Sequence, residues 1–109
     1  MKHLTRVFRA LADPTRREIL HKLKEGELSA GAIVSYFDMS GPAVSRHLSI
    51  LMAADLVQQR REKNSLYYSL EAETLAVAMN EFLSSVCPTQ IITRNKLNKT
   101  KKKKKGIKK

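Results

Sequence analysis

One cysteine, Cys87, no tryptophan and three prolines among 109 residues leave this chain few covalent or conformational staples. A lone thiol excludes an internal disulfide and any multi-thiolate metal site within one chain. No apolar run approaches the roughly 18 residues needed to span a bilayer, and the N-terminus lacks a charged-then-apolar secretory pattern, so a cytosolic protein is expected. Acid is missing from one region altogether: residues 94–109 carry ten basic side chains and no carboxylate. Eleven basic residues face ten acidic ones in residues 1–93, so the net charge of +11 belongs to a tail and not to a basic domain. Any contact of the domain with nucleic acid must then follow from where its few cations lie.

What is present fits one folded domain with one modest core, since 42% of the residues are apolar and 28% charged. Leu4, Val7, Phe8, Leu11 and Ala12 recur at helical spacing and predict a first helix over 3–12. Asp13-Pro14 ends it and starts the next, because an N-cap carboxylate satisfies orphan amides and proline has none to satisfy. The second helix, 14–25, buries Ile19, Leu20 and Leu23 and ends at Gly26. Ser29 caps a short third helix with Ile33, Val34 and Phe37 inward. Ser40 caps a fourth, in which Val44, Leu48, Leu51 and Met52 form the inward stripe.

The opposite face of helix four shows Gly41, Ala43, Ser45, Arg46 and Ser49, with His47 flanking. These are small or hydrogen-bonding side chains with one guanidinium, and bulk is absent where a groove would press. Two helices joined by a short turn, the second with such a face, form the helix-turn-helix pattern. In a major groove, Arg46 would reach guanine O6 and N7, with Ser40, Ser45, His47 and Ser49 within reach of bases or phosphates. Leu56–Arg61 and Leu66–Leu70 read as strands around the polar turn Glu62-Lys63-Asn64-Ser65. Arg60, Arg61 and Lys63 make this hairpin tip locally basic, as a wing beside phosphates would be. Arg16 and Arg17 open helix two, one suited to the DNA backbone and the other to an acid, with a structural role favoured for at least one of them. Tyr67 and Tyr68 alternate across the strand, one inward and one outward.

Residues 72–86 form a fifth helix whose apolar arc is too wide for a small domain to cover, so helices one and five are expected to dimerise. Leu4, Phe8, Leu75, Met79, Phe82 and Leu83 are the expected interface residues. The domain is expected to span 1–87, followed by a basic, disordered tail over 88–109. That tail attracts any polyanion without choosing sequence. His3, His21 and His47 fall on separate helices without paired ligand spacing, and no metal or other cofactor is expected.

Three motifs, Phe8-Arg9-Ala10-Leu11-Ala12-Asp13-Pro14-Thr15-Arg16-Arg17-Glu18-Ile19-Leu20, Ser40-Gly41-Pro42-Ala43-Val44-Ser45-Arg46-His47-Leu48 and Leu66-Tyr67-Tyr68-Ser69-Leu70, occur in this order. Together they resemble the ArsR family of winged-helix repressors, over about residues 3–86, and in particular its small autorepressor branch without metal ligands. The resemblance implies a mainly α fold with a β-hairpin wing. It implies a cytoplasmic, nucleoid-associated homodimer that places both recognition helices in successive major grooves of a palindromic operator and represses transcription, often of its own operon. The family's helix-three thiolate site reads Glu-Leu-Cys-Val-Cys-Asp-Leu, whereas this chain has Glu27-Leu28-Ser29-Ala30-Gly31-Ala32-Ile33, so both soft-metal ligands are gone. Related autorepressors of this kind resemble switches relieved by another protein, which makes an unidentified protein anti-repressor a candidate partner.

Catalysis is not indicated, since Cys87 beside Pro88 stands far from any histidine in sequence. Two rival binding classes stay open at this point. An RNA- or ribosome-associated protein draws on the basic tail, and a winged scaffold for protein contacts would leave Arg46 and the wing cations without a role.

Overall fold

The computed structural model describes residues 2–88, with side chains from His3 onward. The chain divides into two units, Met1–Ala78 and Met79–Lys109. The lysine-rich stretch expected to be disordered lies outside the described residues from Thr89 on. The elements are α1 (Lys2–Leu11), α2 (Pro14–Leu23), β1 (Leu28–Ser29), α3 (Ala30–Ser35), α4 (Gly41–Ala53), β2 (Val57–Glu62), β3 (Ser65–Leu70) and α5 (Ala72–Val86).

Each of the inner helices starts where a short polar side chain closes a local hydrogen bond. Asp13 Oδ2 accepts from the Arg16 amide at 3.1 Å, Ser29 Oγ from Ala32 at 3.1 Å, and Ser40 Oγ from Ala43 at 3.2 Å. All three caps have extended backbone, and Pro14 and Pro42 occupy first-turn positions where a missing amide costs nothing. The end of α4 is equally defined. The Leu56 amide donates to Leu51 O at 3.0 Å and the Asp55 amide to Met52 O at 2.9 Å, with Asp55 itself left-handed at φ +60°. This pair of bonds is a Schellman stop, and it turns the chain sharply into β2.

The helices close over one core in the first unit. Val7, Ile19, Leu23, Ile33, Leu48 and Leu56 are all fully buried, and α4 lies against α1, α2, α3 and β2. The sheet has the order β1-β3-β2 and is antiparallel throughout. Its register pairs Val57 with Leu70 and Arg61 with Leu66 in the hairpin. The hairpin is close to the span expected from sequence, and Lys63 adopts φ +56° in its tight turn, as primed hairpin turns require. β1 was not anticipated: two residues show no periodicity, and Leu28 and Ser29 become a strand only by pairing with Tyr68 and Tyr67.

The Asp13 cap links the fold to pH. Partial burial opposes its charge, but the backbone amides of Arg16 and Thr15, aided by the charge of a protonated His47 ring and by that of Arg16, outweigh that and hold the carboxyl below its ordinary value. A carboxylate lowered in the folded state stabilises above its unfolded pKa and loses that contribution as pH falls through the folded one. Asp13→Ala should therefore lower the unfolding free energy by about 1 kcal/mol at neutral pH. In urea titrations the charge-dependent part of that gap should shrink below about pH 4. An unchanged midpoint at pH 7 would remove the cap from this account.

Candidate nucleic-acid interface

The orientation of α4 follows from its apolar stripe. Val44, Leu48 and Leu51 are buried, which turns Pro42, Ser45, Arg46 and Ser49 outward into solvent. Gly41 and Ala43 are half-exposed near the start of the helix, and Ser40 is exposed at its cap. A β-carbon built on Gly41 would meet no atom within 4 Å, so nothing in the chain's own packing calls for glycine there. The outward face is thus slim, rich in hydroxyls and charged only at Arg46. A 13-residue helix is about 20 Å long, and its bare face is narrow enough for a groove about 12 Å wide.

His47 belongs to a different surface. Its side chain is 20% exposed and turns toward the α1–α2 corner, where Nδ1 lies 3.4 Å from Arg16 Nη1 and 3.9 Å from Asp13 Oδ2. Arg16 spends its other donors on the end of α1: Nε donates to Ala10 O at 2.7 Å and Nη2 to Arg9 O at 2.8 Å. Arg17 does the same through Nη1 to Leu11 O at 2.6 Å. Both arginines at the start of α2 therefore bond to carbonyls at the end of α1, one of which, Arg9 O, also accepts from the Ala12 amide; the structural role favoured for at least one of them is present, with carbonyls in place of an acid.

The hairpin separates its cations by face. Successive residues of a strand point to opposite sides, and Arg60 and Arg61 divide accordingly. Arg60 donates to Glu27 through Nε at 2.9 Å and Nη2 at 2.7 Å, and to Glu62 through Nη1 at 2.7 Å. Its guanidinium also lies 4.8 Å from the centroid of Tyr67, the residue directly across the ladder. Hydrogen bonds from Arg60 hold the Glu27 carboxyl below the usual range, and Glu27 followed by Glu62 raises the guanidinium pKa in turn. With two carboxylates on it, Arg60 is a brace between the wing and the turn before β1, and it offers little net charge to a phosphate. Arg61, Lys63 and Asn64 are exposed at the tip. Tyr68 is the inward tyrosine, 4% exposed, and its hydroxyl accepts from Gln59 Nε2 at 2.9 Å.

The residues expected to meet a second copy also divide. Leu4 is 8% exposed in the isolated chain, so it is taken by the protomer's own core. Its place in the first helix repeats every three to four residues with Val7, and that inward stripe claims it before a partner can. Leu75 lines a shallow groove with Leu11, Leu20 and Leu70, and Met79 is half-buried. Phe8 on α1 is exposed, as are Phe82 and Leu83 on α5. Val77 and Val86, at 58% and 62%, are more exposed still; both belong to the wide apolar arc read from the sequence of the fifth helix, though not to the six expected interface residues. Glu27 and the Arg16–His47 contact were missed as well, for a clear reason: the partners lie 33 and 31 residues apart, beyond any local signal.

A capped recognition-type helix, a preceding short helix and a three-stranded sheet ending in an exposed hairpin define a winged helix-turn-helix protein. The model of the bacterial regulatory protein family arsR matches residues 13–59. The transcriptional repressor SdpR of Bacillus subtilis is 40% identical over 83 residues, 76% of this chain and 92% of that protein. An arsenical resistance operon repressor of Staphylococcus xylosus is 38% identical over 74 residues, 68% of this chain and 71% of the relative. Among solved structures, an ArsR-like transcriptional regulator from Rhodococcus superposes with a TM-score of 0.70 at 27% identity, covering 93% of this chain and 92% of the other. NolR from Sinorhizobium fredii superposes at 0.63 with 29% identity, covering 78% and 85%. The chain belongs to the ArsR family and is a DNA-binding transcriptional regulator, not an enzyme. At the family's thiolate position, Ser29 serves as the N-cap of α3, and no helix of the described residues is long and apolar enough to cross a membrane.

The Arg60 brace has a direct readout in amide exchange. Arg60→Ala and Glu27→Gln should each speed exchange of the β2 and β3 amides near the tip, whereas Arg61→Ala should leave them protected. Because Glu27 is lowered by its partner, the brace holds above the ordinary glutamate range and weakens as pH falls through the folded value. Equal protection in all three variants would show that the wing needs no brace.

Proposed function

We propose that this protein represses transcription as a homodimer, each protomer laying the outward face of α4 in the major groove of a palindromic operator, upstream of its own gene among other sites. One observation carries the reading: burial of Val44, Leu48 and Leu51 leaves Ser45, Arg46 and Ser49 as a slim, hydrogen-bonding surface free of bulk. Arg46 is suited to guanine O6 and N7, and Ser40, Ser45 and Ser49 to bases or phosphates. The open space at Gly41 lets a sugar-phosphate backbone come close to the start of α4. Arg61 and Lys63 at the wing tip hold flanking phosphates.

The second copy is supported by apolar side chains that face solvent in a single chain. Leu83 and Val86 on α5 are 46% and 62% exposed, and Phe8 on α1 is 38% exposed. Two-fold pairing would set the two recognition helices one helical turn of DNA apart, about 34–36 Å, which matches a palindrome. The regulator acts in the cytoplasm on nucleoid DNA. With serine and glycine at the family's thiolate positions, relief of repression falls to a protein anti-repressor and not to a soft metal. The basic residues after Thr93 add affinity that is independent of sequence and falls with salt.

Selection from random-sequence duplexes should return a palindrome for the wild-type chain. Arg46→Ala should weaken binding to that palindrome by about 1–3 kcal/mol and relax the preference at one base pair per half-site, at an unchanged thermal midpoint. Leu83→Glu should shift the protein to monomer in sedimentation and weaken operator binding with it. Retention of random duplexes as tightly as selected ones would refute specific recognition, and a monomer that binds as well as the wild type would refute the dimer.

A further inference from the structure

His47 lies on the recognition helix, yet its contacts lead away from the face assigned to DNA. The start of α2 meets its ring, and through Arg16 the end of α1 is tied to the same place. Arg16 of α2 approaches Nδ1 from one side at 3.4 Å, and the Asp13 cap carboxylate lies 3.9 Å away. The guanidinium is fixed independently of the histidine, since Nε and Nη2 bond to Ala10 O and Arg9 O at 2.7 and 2.8 Å. Asp13 is fixed as well, by the Arg16 amide at 3.1 Å. The α1–α2 corner therefore offers a rigid donor, and an arginine can only donate. For the Arg16 contact to be a hydrogen bond, the ring on α4 accepts through an unprotonated Nδ1, the form of the neutral ring that carries its proton on Nε2.

Val44 and Leu48 hold α4 against the core, but apolar contacts tolerate small rotations about the helix axis. A directed hydrogen bond one residue from Arg46 and two from Ser45 does not, because its energy falls steeply with misalignment. We propose that His47 is a positioning residue: its Nδ1 accepts from Arg16 and sets the rotation at which α4 presents Ser45 and Arg46, without reading a base itself. This rests on the assignment of α4 as the groove-reading helix.

Two amide side chains separate this role from base reading. Asparagine places its side-chain oxygen where Nδ1 of histidine lies, so His47→Asn keeps the acceptor for Arg16. Glutamine reaches the position of Nε2 and leaves Arg16 without an acceptor, so His47→Gln keeps only the outer edge that a base contact would use. Binding of each variant is measured by fluorescence anisotropy on the duplex selected by the wild-type chain and on a scrambled duplex, with the thermal midpoint of each. His47→Asn should bind within about threefold of wild type, and His47→Gln and His47→Ala should each lose roughly tenfold on the selected duplex, the scale of one directed hydrogen bond. Should His47→Ala fail to fold, the order of asparagine and glutamine decides alone. Glutamine binding better than asparagine, or the two binding equally, overturns the proposal. A wild-type chain that does not distinguish selected from scrambled duplex instead refutes groove reading by α4, a separate failure.

Discussion

The rest of this structure depends on the burial of one stripe of α4. Val44, Leu48 and Leu51 have between them almost no exposed surface, and removing any of them from water and close packing is worth on the order of 1.5–3 kcal/mol. That constraint fixes which side of the helix is left for other work. Ser45, Arg46 and Ser49 are outward because their neighbours at helical spacing are inward. The Ser40 cap and the Schellman stop at Asp55 then fix where the helix begins and ends, so its outward face has a set length as well as a set direction.

Charge plays a smaller part than the net +11 suggests. Within residues 1–93 basic and acidic side chains nearly balance, and several cations are committed inside the protomer. Arg16 and Arg17 cap the end of α1, and Arg60 is shared between two carboxylates. Arg46, Arg61 and Lys63 remain exposed on the side of α4 and the wing. A domain whose charges nearly cancel gains little from general attraction to DNA, so under the proposed function shape and hydrogen bonding at α4 supply discrimination. The arginines that look available in the sequence hold the scaffold that aims the ones that are.

Local chemistry made much of the fold legible. Asp13, Ser29 and Ser40 each close a bond to an amide three residues on, and such a bond is visible in any window of four residues. The inward stripe of α4 and the alternation of the hairpin are periodic and equally plain. Long-range pairing was hidden. Leu28 and Ser29 form a strand only because β3 is beside them, and Arg60 looks like a wing cation until Glu27 is found next to it. His47 reads as part of the polar face by type and by position. Its spacing from Ser45 and Ser49 could not show that Arg16 waits on its side of the helix. Leu4 shows the same limit from the apolar side, since a helical stripe does not say whether its own core or a partner covers each member.

The most direct test is an amide chemical-shift titration of the full chain with the selected duplex, repeated at two salt concentrations. The largest shifts are expected over Ser40–Ser49 and at Arg61–Asn64, with those on α4 persisting as salt rises and those of the basic segment after Thr93 fading. Shifts concentrated on α3 or α5 instead, or an α4 that stays silent while the basic segment alone responds, would contradict groove reading by α4.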